Sequence, residues 1–131
     1  MIRACSIKTK EVILTPRSTR EVYDSHQEAI ETLNFEQLAG DYAEDAILVT
    51  IDGAFIGQDA IMKDFFQTIM SQFPDVKINF EKVNVEGDVC VLQWSAEASN
   101  ASIPRGVGVF LIQDDLIQKQ GEWFEILPKG S

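Results

Sequence analysis

The chain has 131 residues, the usual size of one domain, and 45% of them are hydrophobic, which is enough to form a core. Its 21 acidic and 11 basic side chains give a net charge of −10. Such a negative field repels phosphate backbones and anionic lipids, so we expect no nucleic acid and no membrane partner. The N-terminus has no continuous apolar segment of the signal-peptide type, and a cytoplasmic location is the expectation.

The domain organisation starts with residues 1–17, interpreted as an N-terminal tail or an added edge element. Residues 18–127 are interpreted as one domain and 128–131 as a C-terminal tail. Ser18 and Glu21 form a capping-box pattern that predicts the start of a helix. Its apolar face has helical spacing and consists of Val22, His26, Ala29, Ile30 and Leu33, before Asn34 ends the helix. A second helical segment is predicted over 35–43, with Phe35, Leu38 and Tyr42 directed inward.

A hairpin and a long helix follow. The hairpin is predicted from a β-rich segment at 46–51, a turn at Asp52-Gly53 and a return strand at 54–56. The helix is predicted over 57–73, because apolar residues recur there with a period of 3.6 and Pro74 stops it.

The rest of the chain predicts strands. They are expected from about 76 to 85, 89 to 98, 103 to 112 and 116 to 126. The alternation of apolar residues changes phase near Glu81-Lys82, which predicts a β-bulge that curves the sheet. We therefore predict an α+β fold in which about three N-terminal helices cover a curved antiparallel sheet.

No metal or cofactor motif is recognisable. Neither Cys5 nor Cys90 has a metal-ligand spacing, and one histidine cannot supply a His-rich site. Glycine-rich phosphate motifs and a nucleophile elbow are missing from the sequence. We expect no cofactor and no metal, and Cys90, which lies between two valines, is interpreted as a core residue.

This order of elements resembles the nuclear transport factor 2-like superfamily, in particular its SnoaL-like and ketosteroid-isomerase-like branch. The segments that carry the resemblance are LAGDYAEDA at 38–46, GQDAI at 57–61, DLI at 115–117 and EWF at 122–124. The resemblance covers about residues 20–127. It implies a cone-shaped α+β barrel around a pocket and a homodimer packed through the outer sheet face.

The resemblance also implies positions for catalytic groups, and most of them are empty here. Where steroid-isomerase relatives have a carboxylate base, a tyrosine and an acid, this chain has Thr50, Ala29 and Gly108. Where epoxide-hydrolase relatives have an Arg-Asp pair and a final Asp, it has Gln93, Ser95 and Glu122. Only Glu122 keeps a charged role.

Glu122 and His26 are the candidate catalytic residues. In an apolar pocket, the pKa of Glu122 would rise toward neutrality, and the carboxylate could act as a general base. The alternative is an exposed acid on a strand of an acidic protein. His26 lies on the apolar face of the first helix and could exchange a proton with a ligand, or it could be a core histidine.

Five further residues are candidates for ligand binding. Thr50, Gln93 and Ser95 would orient a ligand by hydrogen bonds if they point inward, and otherwise they are buried structural partners or solvent-facing residues. Phe65 and Phe110 would form apolar walls. Gly106 and Gly108 alternate on one strand face and leave room for a ligand or for a bend.

Three functions remain open on this basis. The first is a cofactor-independent isomerase, lyase or hydrolase that acts on a small apolar substrate. The second is a non-catalytic protein that binds a small hydrophobic ligand. The third is a dimeric interaction module that uses the outer sheet face, which the expected outward position of Trp123 suggests.

Overall fold

A computed structural model describes residues 16–130 of the chain, so the predicted N-terminal element at 1–15, with Cys5, lies outside the described residues. Three helices pack on one face of a curved, unclosed sheet of seven strands. The strand order is β2-β1-β6-β5-β4-β3, and β7 pairs with β5. The α+β class predicted from the sequence is confirmed. The pairing of β1 with β6 is parallel, which makes the sheet mixed and not purely antiparallel.

The first two helices are α1 (Thr19–Glu31) and α2 (Phe35–Gly40). The predicted capping box at α1 is confirmed: the Glu21 N–H donates to Ser18 Oγ at 3.1 Å, and the Ser18 N–H donates to Glu21 Oε1 at 2.8 Å. The predicted inward position of Leu33 is wrong. This residue has a φ of 55° just beyond the end of α1, and it is 61% exposed.

The third helix, α3, has three consecutive parts. An α-helical turn at Gln58–Ala60 leads into a π-helical segment at Ile61–Gln67, and an α-helical end follows at Thr68–Gln72. The helix predicted over 57–73 is thereby confirmed to within a residue at each end. The π-helical part buries Ile61, Met62, Phe65 and Phe66 against the sheet.

The strands lie close to their predicted positions. They are β1 (Tyr42–Thr50), β2 (Gly53–Ile56), β3 (Lys77–Glu86), β4 (Val89–Glu97), β5 (Ala101–Gln113), β6 (Leu116–Phe124) and β7 (Leu127–Pro128). The predicted bulge near Glu81-Lys82 is confirmed by the register shift between Phe80 and Lys82. Further register shifts lie between Trp94 and Ala96, between Leu111 and Ile112, and between Tyr42 and Ile47.

The hairpin turn lies one residue earlier than predicted. Thr50 pairs with Gly53, so Ile51 and Asp52 form the loop, and Ile51 is 81% exposed. The cause is local. The Asp52 N–H donates to Thr50 Oγ1 at 3.1 Å, and this hydrogen bond closes the loop at Ile51 and Asp52.

Tyr42 begins β1, whereas the sequence predicted that it belongs to the second helical segment. Gly40 is the last residue of α2, and Tyr42 pairs with Ile117 of β6. The carbonyl of Asp41 accepts a hydrogen bond from the Ile117 N–H at 2.8 Å. This hydrogen bond between distant parts of the chain holds Tyr42 in β1, although the local sequence favours an extension of α2.

The main core lies between the three helices and the inner sheet face. Leu48, Cys90, Phe110 and Ile117 are among its fully buried side chains, which confirms the core position expected for Cys90. Burial raises the pKa of the Cys90 thiol to about 11. Within residues 16–130, no helix has the length and apolar character that crossing a membrane requires.

Candidate functional site

An apolar cleft lies between the helices and the inner face of the sheet. Its volume is about 70 Å³, and it is partly open to solvent. Aromatic rings form much of the wall, among them Phe65, Phe66, Phe73, Phe80, Trp94 and Phe110. The polar lining side chains are few: His26, Gln120 and Glu122 from α1 and β6, and Ser102 near the start of β5.

Glu122 provides the one carboxylate among the described residues that line the cleft. It is 9% exposed, and each of its oxygens accepts one hydrogen bond: Trp94 Nε1 donates to Oε1 at 3.1 Å, and Gln120 Nε2 donates to Oε2 at 2.6 Å. Burial raises the pKa of Glu122 to about 7, although both hydrogen bonds favour the ionised form. The group is therefore able both to accept and to release a proton near neutral pH.

Two glycines of β5 create the space that Trp94 and Glu122 occupy. Gly106 pairs with Trp94 across to β4, and Gly108 pairs with Glu122 across to β6. A Cβ atom at Gly106 would lie 2.1 Å from Trp94 Cε2, and one at Gly108 would lie 2.4 Å from Glu122 Oε2. Both side chains consequently lie over the glycine backbone, and the room that the sequence assigned to a ligand or a bend is filled by these two side chains.

A buried chain of hydrogen bonds continues behind Glu122. The Tyr42 hydroxyl donates to Gln120 Oε1, and this bond directs the amide nitrogen of Gln120 toward Glu122. Gln120 is 4% exposed and Tyr42 is 2% exposed. Burial raises the pKa of Tyr42 well above its ordinary value, so its hydroxyl keeps the proton that it donates.

His26 lines the same cleft from α1. It is 2% exposed, and its Nδ1 atom has no hydrogen-bond partner within residues 16–130. Its ring packs against Phe110 with a centroid distance of 5.1 Å and against Tyr42 with one of 5.8 Å. Burial lowers the pKa of His26 to about 3, so the imidazole is neutral at physiological pH.

The structure brings together four of the seven residues that the sequence singled out. His26, Phe65, Phe110 and Glu122 all line the cleft. The other three lie elsewhere, contrary to the expectation that they ring the cavity: Thr50 closes the hairpin turn, and Gln93 and Ser95 both bond to Glu81 on the opposite side of the sheet.

The alternation along β4 explains the different position of these residues. Cys90, Leu92 and Ala96 are buried, and Trp94 shares their face, which leaves Gln93 and Ser95 in the outward phase. Because Cys90 was already interpreted as a core residue, alternation counted from it would have found Trp94. The role of Gln120 was missed because it depends on Tyr42, which the sequence placed in a helix.

The described residues 16–130 contain no group of three or more His, Cys, Asp or Glu side chains arranged to hold a metal ion. The cleft instead offers one carboxylate of raised pKa, one neutral imidazole and an aromatic wall. This arrangement is suited to holding a small apolar molecule and exchanging a proton with its polar group.

Comparisons with known proteins agree with this architecture. Residues 23–120 match the family described as SnoaL-like domain. Among curated proteins, none matches the sequence significantly.

Solved structures share the fold at low sequence identity. A nuclear transport factor 2-like protein of unknown function from Cytophaga hutchinsonii has a TM-score of 0.71 at 19% identity, over 86% of this chain and 95% of that one. A candidate ketosteroid isomerase from Kribbella flavida has a TM-score of 0.70 at 12% identity, over 86% and 82%. An LEH-like epoxide hydrolase from M. tuberculosis has a TM-score of 0.65 at 12% identity, over 82% of each chain. At such identities the similarity concerns the fold alone.

Proposed function

Since the chain belongs to the SnoaL-like domain family, we propose that it is a cofactor-independent enzyme that acts on a small, mostly apolar molecule through proton transfer by Glu122. The reaction class would be an isomerisation, an elimination or a hydrolysis. The observation that carries the proposal is the buried carboxylate in an aromatic cleft, with a pKa of about 7. A general acid or base works best when its pKa lies near the working pH.

His26 has a secondary role in this proposal. Its unpartnered Nδ1 atom and its position on the cleft wall support a contact with the polar group of the substrate. Because burial lowers its pKa to about 3, the neutral ring would orient the substrate and would not donate a proton from a cationic form.

The test is a screen for turnover. Small ketones, esters and epoxides, each with and without an amino group, are incubated with the protein, and their consumption is followed by mass spectrometry. For a molecule that is consumed, Glu122→Gln should lower turnover by about 100-fold or more while the circular dichroism spectrum stays unchanged. Glu125→Gln, which removes an exposed carboxylate outside the cleft, is the matched control. Unchanged turnover in Glu122→Gln would rule out the proposed role.

A second candidate function is non-catalytic binding of a small apolar ligand. It is favoured by the fact that both oxygens of Glu122 already accept hydrogen bonds from the protein, as in a fixed recognition site. A molecule that raises the melting temperature without being consumed would support this function over the enzymatic one.

We further propose a homodimer that forms through the outer face of the sheet. An apolar row on this face supports it, since Val91, Val109 and Val49 are each more than a third exposed and lie in register around Gly121. Trp123 on the same face is 49% exposed. Val109→Glu should convert a dimer into monomers in sedimentation velocity, whereas Leu33→Glu, at an exposed position just after α1 on the helical side of the sheet, should not. Dissociation by both variants, or by neither, would contradict this interface.

A further inference from the structure

Near Glu122, within the described part of the chain, more hydrogen-bond acceptors than donors are left without a partner. The two donor nitrogens closest to the carboxylate, Trp94 Nε1 and Gln120 Nε2, are already bonded to it. The acceptor of Gln120 is occupied by the Tyr42 hydroxyl. An ionised carboxylate can accept about four hydrogen bonds, and only two of these are in place. The unmet capacity at this end of the cleft is therefore mainly acceptor capacity.

His26 does not change this balance. Its buried Nδ1 atom has no partner among residues 16–130, but a neutral imidazole has one donor and one acceptor nitrogen, so the ring offers one of each. Ser102 is the remaining polar side chain of the lining, but it lies six residues before Gly108 on β5, about 20 Å along the strand. It cannot serve the polar group that Glu122 contacts.

The charge around the cleft also favours a ligand that carries a donor group, in particular a cation. Among residues 16–130, no Lys or Arg lines it, and the whole chain has a net charge of −10. A carboxylate or phosphate ligand would meet Glu122 with no cation to offset the repulsion, whereas a cation would gain from both the local charge and the overall field. Trp94 and Phe110 also line the cleft, and aromatic rings of this kind attract cations to their faces.

From this balance, we infer that the cleft takes a small apolar molecule whose polar end is a protonated amine that donates to Glu122. The inference rests on the proposal that the cleft is the ligand site, and it names the chemical class of that ligand. The cleft volume of about 70 Å³ is smaller than the roughly 150 Å³ that encloses a benzene ring, so part of even a one-ring ligand would lie at the open side of the cleft.

Proton release is a direct consequence of this inference. Among the described residues, two titratable groups lie near Glu122. His26 from α1 lies on the cleft wall, and Tyr42 from β1 lies behind Gln120. Since the pKa of Glu122 is about 7, roughly half of the molecules carry its proton at that pH. A bound ammonium group favours the ionised carboxylate, so each binding event should release about half a proton. A neutral ligand should release almost none.

The test uses three probes with the same ring: benzylamine, benzyl alcohol and benzoate. Binding is followed by calorimetry in buffers of different ionisation enthalpy and by the indole N–H signal of Trp94. The wild-type protein should bind benzylamine about tenfold more tightly than benzyl alcohol and should not bind benzoate measurably. Glu122→Gln should reduce the benzylamine affinity to that of the alcohol, and Glu125→Gln should leave it unchanged.

The outcomes separate this inference from the proposed function. Benzyl alcohol or benzoate binding as tightly as benzylamine would overturn the amine assignment, but the cleft would remain the ligand site. A preference for benzylamine that persists in Glu122→Gln would also overturn it, because the cation would then be held elsewhere. Failure of all three probes to perturb the Trp94 signal would count against both the inference and the ligand cleft.

Discussion

Burial of Glu122 gives the protein a specific dependence of stability on pH. The carboxyl has a pKa of about 7 in the fold and an ordinary value of 4.5. Between these values the unfolded chain has lost the proton that the folded chain keeps, so the free energy of unfolding falls as the pH rises from 4.5 to 7. His26 acts in the opposite direction, because its pKa falls from 6.5 to about 3 and stability rises across that interval.

We predict that Glu122→Gln removes the first of these two effects. The wild-type protein should lose roughly 3 kcal/mol between pH 4.5 and 7 through this group, and the variant should not. Urea unfolding across the pH range measures the difference. Glu125→Gln should follow the wild-type curve. Parallel curves for the wild type and Glu122→Gln would mean that the carboxyl is not held in an apolar environment.

Gly108 offers a way to disturb Glu122 without removing it. In Gly108→Ala, the new methyl group would lie 2.4 Å from Glu122 Oε2, so the carboxylate must move away from Trp94 and Gln120. We expect a loss of about 1–3 kcal/mol of stability and a clear shift of the Trp94 indole N–H signal. Gly121→Ala is the control, since a Cβ there meets nothing within 4 Å. Equal effects of the two substitutions would contradict the close packing at Gly108.

At the scale of elements, the sequence predicted those features that depend on residues close together in the chain. The capping box at Ser18 and the bulge after Phe80 depend on neighbouring residues, and both were predicted correctly. The parallel pairing of β1 with β6 depends on residues far apart in the chain, and no sequence period encodes it. His26 was found through helical spacing, whereas Glu122, Gln93 and Ser95 were selected by position within a family, which cannot resolve the phase of a strand.

Arg17, just before α1, connects the start of this helix to the junction of α2 with β1 and to the turn between β5 and β6. Its guanidinium donates to Asp41 Oδ1 at 2.8 Å and to Asp115 Oδ1 at 3.0 Å, and Asp41 is 3% exposed. Arg17→Ala would leave the buried Asp41 with the Ser25 hydroxyl as its one side-chain partner among the described residues. We predict a loss of about 2 kcal/mol in urea unfolding at an unchanged m-value.

Arg20 is the matched control for that substitution. It forms an i,i+4 ion pair with Asp24, and both side chains are more than half exposed. Arg20→Ala should therefore cost only a few tenths of a kcal/mol. A loss in Arg17→Ala that is no larger would mean that α1 is held to the sheet by apolar packing alone.

At the scale of the whole molecule, the net charge of −10 and the apolar outer face have opposite effects on association. Two protomers that approach through this face repel each other at long range, whereas contact between Val91, Val109 and Trp123 favours the pair. Salt screens the repulsion beyond a Debye length of about 10 Å at 0.1 M and leaves the apolar contact in place.

The dimer should therefore become tighter when salt increases from about 20 to about 300 mM, and sedimentation equilibrium measures this change. Binding of benzylamine in the cleft should weaken over the same interval, because its attraction to the protein is electrostatic. The two responses have opposite signs in one protein, so a general effect of salt on folding cannot produce both. A dimer that dissociates with added salt would indicate that ion pairs, and not the apolar row around Gly121, hold the two copies together.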